Sequence, residues 1–129
     1  SLLAATPNHL QSLCLSGSIA QQYGNHSKAI ELFTRASHLN SNLSSIYLQL
    51  GISHSAINEI EAGNLNYLKA LQLSPDQVEP LVNLANNLTK LNRFQDAFEL
   101  YKKALLLSPN SATVHYNIGT MFLKSMKQI

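Results

Sequence analysis

Between Val78 and Ser111 the apolar residues fall at two helical spacings separated by a short polar break. Leu81, Leu84, Ala85, Leu88 and Leu91 follow the i, i+3, i+4, i+7 pattern that buries one face of a helix. Asn92-Arg93 interrupts the pattern, and Phe94, Ala97, Phe98, Tyr101, Ala104 and Leu105 resume it. Ser108-Pro109-Asn110 ends the second stretch, because proline cannot continue a helix and disfavours the α region just before itself. The small residues Ala85 and Ala97 allow two antiparallel helices to approach closely, with Tyr101 filling the space beside them. This segment predicts a helical hairpin.

The same hairpin recurs. Gly17, Gly51, Ala85 and Gly119 stand at a constant interval of 34 residues, and so do Ala36, Ala70 and Ala104. The aromatics Phe33, Tyr67 and Tyr101 and the small residues Ala29, Gly63 and Ala97 keep the same register, as do Pro75 and Pro109. A fixed period of this length marks a stacked repeat in which each unit buries its face against the next. The expected helices are 8–23, 26–39, 44–57, 60–73, 77–91, 94–107 and 111–125. The stretch from Ile57 to Gly63 lacks a glycine at the turn, so a less regular hairpin is expected there.

These rows resemble the tetratricopeptide repeat, a unit with a small residue near position 8, Ala at 20, an aromatic at 24, Ala at 27 and Pro at 32. The resemblance covers essentially the whole chain. Units begin at Leu10, Ser44, Val78 and Ala112, giving repeats over 10–43, 44–77 and 78–111. Residues 1–9 are expected to end a preceding repeat, and 112–129 to form the first helix of a partial one. The chain is thus expected to be cut from a longer array. The implied fold is all-α, a right-handed α-solenoid of about seven helices.

In that family the first helix of each pair lines a concave groove. The resemblance places Gln49, Ile52, Glu79, Val82, Asn83, Asn86, Lys90, Thr113, Tyr116, Asn117 and Thr120 there, and the expected ligand is a protein or extended peptide. Asn83 and Asn117 share one repeat position with Gln49 in the unit before. A row of amides can pair with a peptide backbone without reading its sequence. The arrangement is similar to the asparagine ladder in the repeats of O-linked N-acetylglucosamine transferases, although Leu15 interrupts it in the first unit. A second family mode holds a chaperone's C-terminal carboxylate with cations. The matching positions here are Cys14, Ser18, Gln49, Glu79 and Asn83, none of them a cation, which argues against that mode.

Composition narrows the alternatives. Charged residues are only 12 % of the chain and the net charge is +2, with the basic residues scattered. That distribution argues against a nucleic-acid partner. No stretch reaches the length of an apolar membrane span and no signal peptide is recognisable, so no membrane insertion is expected; the location taken as an expectation is cytoplasmic, independently of those absences. The single cysteine, Cys14, excludes an internal disulfide and reads as a small apolar residue. The histidines form no i, i+4 pair, and Asp96 and Glu99 precede Lys102 and Lys103 as a solvated face. Neither an enzyme active site nor a cofactor is expected. Ile118, Met121 and Phe122 form an apolar face on a helix with no following partner, so a homo-oligomer through that helix is one alternative. Another is a substrate-recruiting segment of a larger enzyme such as a glycosyltransferase.

Overall fold

The computed structural model describes residues 2–128, with side chains from His9 onward. The described residues form seven α-helices and no strand: α1 (Leu2–Gln22), α2 (His26–Leu39), α3 (Ser44–Ala56), α4 (Ile60–Leu73), α5 (Val78–Lys90), α6 (Phe94–Leu107) and α7 (Ala112–Met126). The fold is all-α, an array of helix pairs. The chain divides after Leu73 into two compact units, the first holding α1 to α4 and the second α5 to α7.

Three of the helices, α2, α4 and α6, occupy the spans expected from periodicity, and the ends of α3, α5 and α7 differ by single residues. The difference is at α1, which begins at Leu2 rather than at residue 8 and runs through Pro7. Pro7 is the sixth residue of that helix, past the first turn, so its missing N–H removes one helical hydrogen bond there. Pro80, by contrast, sits in the first turn of α5, where the N–H groups have no intrahelical partner.

The three hairpin turns are alike, which corrects the expectation of an irregular second one. Gly24, Asn58 and Asn92 lie 34 residues apart and all take a left-handed conformation, with φ of 76°, 65° and 62°. Each turn closes with the same two bonds. Asn25, Glu59 and Arg93 donate N–H to the carbonyls of Ala20, His54 and Leu88 at 2.8 Å in every case. The N–H groups of Gly24, Asn58 and Asn92 reach Gln21, Ser55 and Thr89 at 2.9–3.0 Å. This is the helix C-terminal motif that glycine favours and asparagine tolerates. Replacing Asn58 or Asn92 with glycine is therefore expected to raise stability by up to about 1 kcal/mol. Gly24→Ala should lower it by about 1 kcal/mol, both read as shifts in the urea midpoint.

The rows of small residues mark where helices meet. Ala29, Ala36, Ala70, Ala97 and Ala104 are fully buried. In the first unit Leu13, Ala29, Leu32, Phe33, Ala36, Ile46 and Leu50 form one core across α1, α2 and α3. Phe33 lies over Gly17, where an added Cβ would come within 2.7 Å of the ring, and Tyr67 covers Gly51 in the same way. Gly63, in the row otherwise held by alanine, leaves room for the Ser55 hydroxyl. In the second unit Ala85, Ala97, Tyr101 and Ala104 repeat the arrangement between α5 and α6, and Val114 and Met121 of α7 are buried too.

Candidate functional site

Within the second unit, the first helices of two successive repeats, α5 and α7, border a cleft of about 360 Å³. Its lining is Val78, Glu79, Val82 and Asn83 from α5, with Ser111, Thr113 and Val114 from the start of α7. The start of α7 is set by Ser111, whose hydroxyl accepts a bond from the Val114 N–H at 3.3 Å and caps the helix. The walls are aliphatic, and the polar groups that converge on them are one carboxylate, one amide and two hydroxyls. Glu79 is the only charged residue in the lining.

Four of the residues expected at a groove, Glu79, Val82, Asn83 and Thr113, meet in this cleft. Asn83 and Asn117 are half-buried, and no hydrogen bond reaches either amide among the described residues. Asn86 is differently placed. Its side-chain oxygen accepts the hydroxyl of the buried Tyr101, so it braces α5 against α6. Thr120 turns its hydroxyl back to the Tyr116 carbonyl at 3.1 Å, while the Tyr116 ring projects into solvent. Periodicity singled out neither Val78 nor Ser111, because each stands at a helix boundary where the helical spacing gives no signal.

Far along the same two helices, Lys124 of α7 donates to the carbonyls of Thr89 and Lys90 at 3.1 and 3.3 Å. A cation there adds a second donor to the Thr89 carbonyl, which also accepts the Asn92 N–H, and complements the dipole of α5. Lys90 is exposed beside it.

The first unit is closed by its own polar contacts. The Gln21 side chain donates to the Gln49 carbonyl at 3.1 Å and to the Ser53 hydroxyl at 2.9 Å, and His26 lies 3.2 Å from that hydroxyl. Ser53 is fully buried, and Ile52 and Gln49 are half-buried. Burial raises the pKa of the Cys14 thiol, which keeps it protonated and poorly nucleophilic at neutral pH. His54 pairs with Glu59 at 2.7 Å, and His115 bonds the Pro109 carbonyl at 2.9 Å. Among the described residues no group of three or more His, Cys, Asp or Glu side chains could share a metal ion. No helix among them is long and apolar enough to cross a membrane.

The apolar face assigned to α7 needs one correction. Met121 is only 1 % exposed, packed inward beside Val114, and is not available to a second molecule. A residue seven positions after Val114 returns to the same side of a helix, so the two share the inward face. Phe122 stays 47 % exposed, with its ring tilted against Phe98 at 5.5 Å. Ile118 is half-buried.

A model of the TPR repeat matches residues 85–125. Solved structures extend the likeness to the whole length. The Arabidopsis OM64 TPR domain superposes with a TM-score of 0.87 at 18 % identity, covering 96 % of this chain and 99 % of that one. The stretch 85–125 belongs to the tetratricopeptide-repeat family, and the whole chain has that family's fold. The first TPR of Spaghetti (RPAP3), bound to an HSP90 peptide SRMEEVD, is similar with a TM-score of 0.85 at 13 % identity over 90 % of this chain and 92 % of that one. Among curated proteins, the peroxisomal targeting signal receptor of Candida albicans is 30 % identical over 96 residues, 71 % of this chain and 16 % of the receptor. The CTR9 homolog of Arabidopsis thaliana is 29 % identical over 79 residues, 61 % of this chain and 7 % of that protein. The chain thus spans a small fraction of these relatives' length.

Proposed function

We propose that the chain is a protein-interaction module that holds an extended peptide segment in the α5–α7 cleft. The observation that carries this reading is Asn83, a half-buried amide in the cleft lining, with half-buried Asn117 one repeat further on, neither amide having a hydrogen-bond partner among the described residues. An amide left unpaired in a half-dry setting is poised to exchange hydrogen bonds with a peptide backbone. The TPR structure of Spaghetti carries a peptide, and so does the second TPR domain of human RPAP3, in complex with the HSP70 peptide SGPTIEEVD. The same cleft would serve a substrate-recruiting segment of a larger enzyme.

The test uses peptides selected by display on the full 129-residue chain. Asn83→Ala combined with Asn117→Ala is expected to weaken them roughly ten-fold or more by fluorescence anisotropy, at about 1 kcal/mol for each lost hydrogen bond. Gln22→Ala, on the exposed surface of the first unit, should leave affinity unchanged. Equal affinity for the double variant and the parent would sink the reading.

A second reading, self-association through α7, is favoured by the exposure of Phe122, Leu123 and Met126. Gly119 points the same way. It keeps the register of Gly17 and Gly51, yet nothing lies within 4 Å of the place where its Cβ would be. Light scattering should then report a dimer that Phe122→Asp dissociates, and a monomer at all concentrations would exclude it.

A further inference from the structure

Glu79 and Lys90 are eleven residues apart on α5. At 3.6 residues per turn, that spacing brings them within about 20° of the same direction and separates them by about 16 Å along the axis. Asn83 lies between them on the same face. The charge on the two cleft helices is polarised. Glu79 is the only acidic residue on α5, and α7 has none. At the other end stands exposed Lys90, together with Lys124, whose ammonium is fixed on the carbonyls of Thr89 and Lys90. Neither Glu79 nor Lys90 has a charged partner among the described residues.

We infer that the peptide taken by this cleft is dipolar, with a basic side chain seated at Glu79 and an acidic one about five residues away at Lys90 and Lys124. The spacing follows from the distance, since an extended chain advances about 3.3 Å per residue. Beside the basic side chain, small aliphatic side chains fit the walls that Val78, Val82 and Val114 form around Glu79. The inference rests on the peptide-binding reading above and adds its ligand class. It also sets this cleft apart from a carboxylate-binding one. The end lined by Glu79 repels an anion, and the cations lie at the far end of the helices. The same two residues complement the dipole of α5, with the acid in its first turn and the base in its last. Variants must therefore be checked for unchanged helicity by circular dichroism.

The probes are end-blocked hexapeptides, so that only side chains carry charge: KVSVSD, KVSVSK, DVSVSD and SVSVSS, each also made in reverse order. Binding is measured by titration calorimetry with the full chain at low salt. Exposed ion pairs are weak, so each matched end is expected to tighten Kd by about two- to five-fold. The better orientation of the dipolar peptide should rank first, and the like-charged peptides should fall below it. Glu79→Lys should transfer the preference to DVSVSD, whereas Glu79→Gln should abolish only the preference for the basic end. Equal affinity for all the peptides, or a ranking that survives Glu79→Lys, would overturn the inference. If Asn83→Ala with Asn117→Ala weakens SVSVSS while charge makes no difference, only the dipolar ligand is refuted. If that double variant changes no affinity, the cleft itself is refuted as the site.

Discussion

Replacing Phe33 with alanine is expected to destabilise the first unit by about 3–5 kcal/mol, the usual cost of emptying a buried aromatic site. Phe33 is 2 % exposed and belongs to the core that joins α1, α2 and α3. Its ring seats on Gly17, where no side chain fits. Gly17→Ala should therefore cost about 1–3 kcal/mol by overpacking, even though alanine is the better helix former. The two changes touch the same contact, so their effects should not add. In the double variant the new methyl group occupies space the ring has vacated, and the loss should be smaller than the sum of the single losses. Urea denaturation of the four proteins checks this. Additive losses would mean that the glycine is not there to receive the ring.

The second large effect concerns Tyr101, which is 1 % exposed and gives its hydroxyl proton to the Asn86 side chain. Tyr101→Ala should cost about 3–5 kcal/mol, as for other buried aromatics. Tyr101→Phe keeps the ring but leaves the Asn86 oxygen without its donor, a loss of about 1–2 kcal/mol. The two variants thus separate packing from hydrogen bonding. Burial raises the Tyr101 pKa above the ordinary 10.0, and the neighbouring Thr89 hydroxyl works in the other direction. The folded chain holds the phenolic proton more tightly than the unfolded chain does. The stabilisation linked to that proton is complete below the ordinary value and is lost as pH rises through the higher folded value. Urea midpoints of the parent should consequently fall more steeply above about pH 10 than those of Tyr101→Phe. Parallel slopes would show that the hydroxyl is not held in a dry site.

The three like turns separate what a residue type permits from what it announces. The first hairpin turn was marked by Gly24, whose freedom at positive φ is visible in the residue itself. Asn58 sits in the same register and takes the same conformation, yet asparagine is common on every polar surface of this chain. Its role emerges only with the bonds of Asn58 and Glu59 back to α3. Pro7 misleads in the opposite sense. Read alone it suggests a helix boundary, whereas α1 begins at Leu2 and runs on through it.

The groove residues divide in the same way. Asn83 and Asn86 both read as amides on one helical face, three residues apart. Which of them is spent on the fold depends on Tyr101, fifteen residues after Asn86, and no local pattern reveals that the phenol reaches it. Met121 and Phe122 both read as parts of an apolar face, and packing turned one inward and left the other half-exposed.

The period, the helix count and the rows of small and aromatic residues were all legible in the order of the residues. These follow from local propensity and from a spacing that must recur wherever identical hairpins stack. Tertiary structure alone decided which polar groups are satisfied, which apolar groups are covered and where a cleft remains. Those outcomes depend on distances between side chains far apart in the chain. Residues 34 positions apart share a pattern, but they do not share neighbours.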